Sequence, residues 1–286
     1  MYELILESKE GYQLHFNQLG GAYSIKAIEG LSPAAATINT NQNALIDGAT
    51  FNSSKVQMRT MNIAFSIDQD PEQNRIAAYK VLRPKEPIRV YYISDRRDVF
   101  IDGYVQSVTV THFEPKQTLT VMIQCPFPFW KKAQEIVNYI SAVTPTFHFP
   151  FASPADPGEL IFGIISDLPS VIVVNDGAVD TGLTFELYAS GSVSDPKIYN
   201  YKTQEYFGLD IDLVDGDLVT IKTGQGEKTA VLLRQGVETN IFNLIIEGST
   251  WLQLPAGGAR YIYTIETGLA DQLDITIKHY DMYEGV

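Results

Sequence analysis

The sequence of 286 residues contains a single cysteine, Cys125, so no disulfide can form within the chain. A chain of this kind is typical of proteins made in a reducing compartment, so we expect synthesis in the cytoplasm. Cys125 stands on the apolar side of an alternating stretch, "QTLTVMIQC". This position predicts a small buried hydrophobe rather than a reactive thiol.

Long apolar runs are also missing. No run approaches the ~20 apolar residues that a membrane-spanning helix needs, so we expect no membrane span. The opening residues, "MYELILESKEG", carry early acids and lack a basic segment followed by a long apolar one. They predict no signal peptide.

Basic residues are scarce in the second half of the chain. Residues 1–140 contain fourteen acidic and fourteen basic residues, whereas residues 141–286 contain twenty acidic and seven basic ones, which accounts for the net charge of −13. An acidic surface repels phosphate backbones, so we expect no sequence-specific binding of nucleic acid. The change in charge balance predicts two domains, residues 1–140 and residues 141–286.

Motifs for catalysis and for metal binding are lacking too. His15, His112, His148 and His279 show no metal-ligand spacing, and each is interpreted as a surface or boundary residue. No Gly-x-Ser-x-Gly elbow presents a nucleophile. The acidic stretch "DIDLVDGD", residues 210–217, fits a strand running into a turn better than a calcium loop. We therefore predict no catalytic residue, no metal and no cofactor, and a protein that is not an enzyme.

What the first half does contain is alternation of apolar and polar residues. In each of two predicted strands, the alternation places four apolar side chains on the same face. The two sets are Met61, Ile63, Phe65, Ile67 and Leu119, Val121, Ile123, Cys125. Short strands separated by charged or glycine-containing turns predict an antiparallel β-barrel or sandwich-like N-terminal domain.

One segment of that half has helical signals instead. In "DQDPEQNRIAAYKVLRP", Asp70 is placed as an N-cap, Pro71 as the first helical residue and Pro84 as the stop. Ile76, Ala77 and Tyr79 would supply its apolar stripe. The sequence predicts one short helix lying over the sheet.

Residues 28–54 lack a strong period and contain mostly small and polar residues. Loops of this length are uncommon in a compact domain unless they have a function, such as contacting a neighbouring molecule. A short strand within "AATINT" is the alternative interpretation, and the two are equally supported.

The second half opens with a segment rich in proline and serine, residues 131–160, which we interpret as a linker. Alternating stretches separated by turns then predict a β-sandwich. These stretches are "SVIVV", "LTFELYA", "KIYNY", "DIDLV", "LVTIKT", "KTAVLLR", "FNLIIEG", "WLQLP", "ARYIYTIE" and "LDITIKHY". The turn "TGQGEK" joins two of them as a hairpin.

The segment "QCPFPFWKK" ends the last strand of the N-terminal domain. Its two prolines cannot donate to a central sheet, so they end the strand and stiffen the chain. Phe127, Phe129 and Trp130 then offer a large apolar area at low entropic cost. We predict that these three residues seal a domain junction, with a ring contact between subunits as the alternative.

The order of these features resembles the distal tail protein (Dit) family of long, non-contractile-tailed phages and of related prophage or bacteriocin particles. The resemblance spans nearly the whole chain. Its most specific part is "IDGYVQSVTVTHFEPKQTLTVMIQCPFPFWK", and further parts are "LIDGATFNSSKVQMRTMNIAFSI" and the final "IKHYDMYEGV".

The resemblance implies a homo-hexameric ring at the virion tail tip, with the N-terminal domains forming the annulus. The implied partners are the tail tube protein, a tail-associated tip protein and a receptor-binding protein. The C-terminal domain is expected to be a galectin-like sandwich that projects outward. Host, receptor and the number of stacked rings stay open.

Two other function classes remain as alternatives. The first is a carbohydrate-binding adhesin, for which Trp251 in "GSTWLQLP" is the candidate sugar-stacking residue, although a core tryptophan fits the residue better. The second is a β-sandwich glycosidase, which would need a pair of carboxylates that the sequence does not single out.

Overall fold

The structure, a computed structural model, describes residues 2–16, 21–42, 47–114, 116–140, 143–145, 163–165 and 169–286. It divides into two compact units. The N-terminal unit comprises Met1–Ala133 and Met282–Val286, and the C-terminal unit comprises Gln134–Asp281.

The N-terminal unit is built from ten strands and one helix before the chain leaves it. In chain order they are β1 (Tyr2–Ser8), β2 (Gln13–Phe16), β3 (Tyr23–Glu29), β4 (Ala36–Asn41), β5 (Thr50–Val56), β6 (Arg59–Ile67), α1 (Pro71–Val81), β7 (Pro87–Ser94), β8 (Asp98–Val110), β9 (Thr118–Cys125) and β10 (Trp130–Lys132). Seven strands form an antiparallel sheet in the order β2-β1-β7-β8-β9-β6-β3.

The alternation of the sequence sets the core of this sheet. The apolar sets predicted on β6 and β9 are buried on one face, as the period-2 pattern requires. The sheet also curves until its two edges meet, because Phe16 of β2 lies 5.9 Å from Tyr23 of β3 and 4.9 Å from Phe65, between ring centroids. The predicted barrel-like N-terminal domain is therefore confirmed.

Helix α1 is the single α-helix among the described residues, as predicted, and Asp70 is its N-cap residue with Pro71 as the first helical residue. The backbone of Asp70 is left-handed (φ 39°) rather than extended, so its carboxylate makes no capping hydrogen bond. The predicted apolar stripe was wrong. The buried face carries Ala78 and Val81, whereas Ile76 and Tyr79 are exposed. None of the described helices combines the length and apolarity needed to cross a bilayer.

Strands β4 and β5 pair only with each other in the described sheets and form a separate two-stranded hairpin, which we call the exposed hairpin. Of the two interpretations of residues 28–54, the strand within "AATINT" is thus the one found. The stretch that leads from β3 into the exposed hairpin, residues 30–35, is called the stem. The amide of Gln57 donates to the carbonyl of Ala35 (2.8 Å) and closes the base.

The C-terminal unit contains sixteen described strands and two short 3-10 helices. The strands are β11 (Ile136–Ile140), β12 (Val143–Pro145), β13 (Gly163–Ile165), β14 (Ser170–Val173), β15 (Thr181–Gly182), β16 (Thr184–Ala189), β17 (Val193–Ser194), β18 (Lys197–Asn200), β19 (Tyr206–Gly208), β20 (Asp212–Leu213), β21 (Leu218–Lys222), β22 (Thr229–Arg234), β23 (Val237–Asn240), β24 (Gln253–Leu254), β25 (Ala259–Thr264) and β26 (Leu273–His279). The 3-10 helices span Phe242–Leu244 and Ala270–Gln272.

Two sheets of this unit enclose one core. Their orders are β11-β26-β16-β21-β22-β23 and β14-β25-β18-β19. Buried residues of both sheets form a single cluster, among them Phe185, Val219 and Ile275 from the first and Ile198, Tyr261 and Tyr263 from the second. The mainly β fold and the predicted sandwich are confirmed, and its similarity to galectins stays a prediction.

One predicted strand of this unit was wrong. "FNLIIEG" begins with a 3-10 helix instead of a strand. The side chain of Asn240 accepts from the amide of Phe242 (2.9 Å), and the amide of Leu244 donates to the carbonyl of Ile241 (2.9 Å). Local hydrogen bonds of this kind satisfy the backbone without a partner strand.

The boundary between the units differs from the predicted division at residue 140 in two places. Residues 136–140, within the predicted linker, form β11, whose register with β26 runs from Ile136 opposite His279 to Ile140 opposite Ile275. The chain then returns to the N-terminal unit, where β27 (Met282–Tyr283) pairs antiparallel with β10. We call residues 282–286 the return segment. Most of the predicted linker lies outside the described residues.

Candidate interaction surfaces

The aromatic segment after β9 divides into a buried part and a half-buried part. Trp130 is fully buried in the core of the N-terminal unit. Phe127 and Phe129 are half-buried, their ring centroids lie 5.4 Å apart, and the ammonium of Lys131 lies 5.5 Å from the Phe127 ring. The structure brings the two phenylalanines together beside Trp130, and their role as a seal stays a prediction.

Arg59, at the start of β6, is a buried charged residue that the sequence analysis missed. Its side chain donates to four main-chain carbonyl oxygens, those of Gly30, Ser32, Pro128 and Glu284. Its guanidinium carbon lies 5.8 Å from the centre of the Trp130 ring, and burial lowers the pKa of Arg59. The sequence signal that could have found it is spacing. Arg59 lies two residues before Met61, so it falls on the inward face of β6.

The exposed hairpin presents apolar side chains to solvent. Every residue of β5 is exposed, and Ile38 and Phe51 have exposed fractions of 64% and 62%. A two-stranded hairpin is marginally stable by itself in water, and its outer edges carry unpaired backbone groups. This combination is typical of an element that is covered by another protein.

A further exposed apolar residue lies at the opposite end of the seven-stranded sheet from the exposed hairpin. Strand β6 pairs with β9 from Arg59 opposite Cys125 to Ser66 opposite Thr118. The exposed hairpin leaves the sheet at the Arg59 end, whereas the turn between β8 and β9 lies at the Ser66 end. That turn carries Phe113, which is fully exposed. The N-terminal unit therefore has exposed apolar groups at both ends of its strands.

Trp251, the candidate sugar-stacking residue, packs against the core of the C-terminal unit and is half-buried. Its ring centroid lies 5.0 Å from that of buried Phe207 and 5.5 Å from that of Phe242. The ammonium of Lys228 lies 5.5 Å from the same ring. These contacts favour the core interpretation, and sugar stacking stays a prediction.

Several polar residues that the sequence singled out have structural contacts. Asp217, in the acidic stretch 210–217, is buried and forms an ion pair with Arg234 (2.6 Å). His279 is not a surface or boundary residue but a core one, since it is buried and its Nε2 lies 3.1 Å from the carbonyl oxygen of Val174. Within the described part of the chain, no three His, Cys, Asp or Glu side chains are grouped so as to hold a metal ion.

The remaining reactive side chains are those of Cys125 and of the other histidines. Cys125 is fully buried, as predicted, and burial raises the pKa of its thiol to about 12. His15 is half-buried beside Glu3 (3.1 Å) and His112 is exposed. His148 lies outside the described residues.

Comparison with known proteins gives a family for the C-terminal unit and a fold for the whole chain. Residues 176–283 match the SPP1 Dit family, described as siphovirus-type tail component, C-terminal domain. No curated protein matches the sequence.

The crystal structure of the Dit protein (gp 19.1) of phage SPP1, described as a paradigm of the hub of the adsorption apparatus in phages that infect Gram-positive bacteria, is similar over 96% of this chain and 98% of that chain. Its TM-score is 0.68 at 12% identity. Two structures of the phage p2 baseplate in its activated conformation, with Ca and with Sr, have TM-scores of 0.56 and 0.57 at 10% identity. Both similarities cover 97% of this chain and 98% of the other.

Residues 176–283 thus match a siphovirus-type tail component domain, and the whole chain has a fold seen in phage tail and baseplate proteins. The match of residues 176–283 supports the resemblance to the distal tail protein (Dit) family that the sequence predicts, and the fold of the whole chain is similar to that of SPP1 Dit.

Proposed function

We propose that this chain is the structural hub of a phage tail tip and assembles as a hexameric ring between the tail tube protein and a tail-associated tip protein. The N-terminal units form the annulus, and the C-terminal units carry receptor-binding components. The protein has no catalytic role in this proposal. It is made in the bacterial cytoplasm and acts at the virion tail tip.

The exposed hairpin is the observation that supports this proposal most directly. Its apolar side chains, Ile38 and Phe51, lie in water in the single chain, and both outer edges of β4 and β5 offer backbone donors and acceptors. Burying such an element against a neighbouring copy removes apolar area from water and pairs its edges. A closed ring repeats that contact in every subunit.

A hub also needs two different faces, one for each axial neighbour. The exposed hairpin at one end of β6 and Phe113 at the other end supply apolar groups at both. The balanced charge of residues 1–140, fourteen acidic and fourteen basic, lets copies approach without strong repulsion. The acidic residues 141–286 favour C-terminal units that stay apart from their copies.

The test substitutes Ile38→Asp in the full chain and measures mass by native mass spectrometry and shape by negative-stain microscopy. We expect annular six-fold particles for the wild type and a loss of at least tenfold in the assembled fraction for the variant, because a charge at the contact must be desolvated. Val237→Asp is the matched control, since Val237 is also 64% exposed and lies in a strand, β23 of the C-terminal unit.

Equal loss of assembly in both variants would mean that added charge, rather than the hairpin contact, disrupts the ring. Rings from the Ile38→Asp variant at wild-type yield would show that the exposed hairpin lies outside the subunit contact. A wild-type chain that stays monomeric both alone and on tail tubes would contradict the proposed hub.

A further inference from the structure

The return segment contacts the stem, and this contact fixes how the exposed hairpin leaves the N-terminal unit. We propose that the return segment acts as a latch that positions the exposed hairpin for contact with a neighbouring subunit, with Arg59 as the positioning residue. The proposal rests on the function proposed above and adds what controls assembly.

The return segment is firmly seated. In β27, Tyr283 lies opposite Trp130 and Met282 lies opposite Lys131 of β10. The Arg97 guanidinium carbon lies 3.8 Å from the centre of the Tyr283 ring, which is 9% exposed. Backbone pairing and a cation over an aromatic ring together hold the segment in one place.

Beyond β27 the same segment reaches the stem. The amide of Val286 donates to the carbonyl of Leu31 (3.1 Å). A Cβ at Gly285 would lie 3.0 Å from the Leu31 carbonyl oxygen and 3.0 Å from Cδ of Pro33, so a larger residue cannot occupy that position without moving the stem. Glycine at this site is therefore a requirement of close packing, not of backbone angle.

Arg59 joins the return segment and the stem through one side chain. It donates to Gly30 and Ser32 in the stem and to Glu284 in the return segment. A guanidinium with 2% exposure loses its hydration, so each donor depends on these carbonyl acceptors. Displacing the return segment leaves one donor unpaired and loosens the grip on the stem.

The stem matters because the exposed hairpin has little other support. The side chains of β5 are all exposed, and β4 and β5 pair with each other. The direction of the hairpin is thus set at its base, by residues 30–35 and by the bond from Gln57 to Ala35. A subunit contact that uses this hairpin is preorganised by whatever holds the stem.

The test uses Gly285→Leu in the full chain, with Gly224→Leu in a C-terminal turn as the control, because Gly224 has only Glu227 within 4 Å, at 3.6 Å. We expect Gly285→Leu to reduce the assembled fraction at least tenfold and Gly224→Leu to leave it unchanged. Should Gly285→Leu fail to fold, Tyr283→Ser, which removes the ring beneath Arg97, takes its place.

A second measurement separates the latch from the ring. In the Ile38→Asp background, amide hydrogen exchange at Gln57 should become about tenfold faster on adding Gly285→Leu, while amides of β8 and β9 stay unchanged. Intact assembly of Ile38→Asp would overturn the proposed hairpin contact and leave the exchange result as the measure of the latch alone. Unchanged exchange at Gln57, or normal assembly of Gly285→Leu, would overturn the latch.

Discussion

At the scale of single residues, Asp217 shows how the C-terminal unit uses an acidic side chain as part of its structure. Its carboxylate receives Nε of Arg234 at 2.9 Å, Nη2 of Arg234 at 2.6 Å and the amide of Val214 at 2.9 Å. The hydrogen bonds from Arg234 are the main cause that lowers the pKa of Asp217. The charged form is therefore the form that stabilises the fold.

Asp217→Asn should lower the free energy of unfolding by about 1–3 kcal/mol at pH 7. Because the pKa of Asp217 is lower in the folded chain than in the unfolded chain, its contribution is present above the unfolded value of about 3.9 and is lost as pH falls further. Urea unfolding between pH 7 and pH 2.5 should show a shallower decline for the variant. Glu10→Gln, which breaks the half-exposed pair with Arg83, should change little.

The two interpretations of Trp251 predict different results for Trp251→Ala. Because the indole contacts Phe207 and packs against the core, we expect the variant to lose about 2–3 kcal/mol of unfolding free energy. Thermal melting of the full chain measures this. A variant that keeps the wild-type melting temperature but loses binding on a glycan array would instead make Trp251 a sugar platform.

At the scale of elements, the sequence predicts those strands in which apolar and polar residues alternate. Strands β6 and β9 bury one side and follow a period of two, so both were predicted with their inward residues. The exposed hairpin has no buried side, so its strands show no such period and remained one of two interpretations of residues 28–54. Arg59 was missed because a buried cation among apolar residues breaks the pattern.

Helix α1 shows a second limit of what the sequence can predict. Its ends were signalled by Pro71 and Pro84, and its existence was predicted. Which side faces the sheet depends on packing against β1, β2 and β6, which the short sequence of the helix does not encode. The apolar residues Ile76 and Tyr79 point away from the core for that reason, and Ala78 faces it.

The segment after β9 allows a direct comparison of its buried and half-buried rings. Trp130→Ala should cost about 3–5 kcal/mol of unfolding free energy, because the indole is fully buried beside Arg59. Phe129→Ala should cost less in stability and should lower oligomer mass or domain coupling if the seal prediction is right. Calorimetry and sedimentation check both, and wild-type melting and mass in both variants would contradict the role.

At the scale of the whole molecule, the change in charge balance predicted two domains and the resemblance predicted their family. The sequence could not show that residues 282–286 belong to the N-terminal unit. That assignment depends on the pairing of β27 with β10, which are separated by about 150 residues of chain. Long-range pairing of two very short strands leaves no periodic signal in either.

This connectivity predicts how the chain can be divided. A version that joins Lys132 to Met282 by a two- to four-residue turn should fold and form rings, because β10 and β27 already run antiparallel side by side. A fragment of residues 1–140 should melt at a lower temperature than this joined version. The fragment lacks β27 and the carbonyl of Glu284 to which Arg59 donates. Equal melting temperatures for the two would contradict the importance of the return segment.

Because β10 leads out of the N-terminal unit and its paired strand β27 leads back into it, the C-terminal unit is an insert with two adjacent attachment points. Recombination at those points would exchange the inserted unit while the N-terminal unit keeps every strand of its own core. Under the function proposed above, such an exchange would change what the tail tip presents to a host surface and leave the subunit contacts in place.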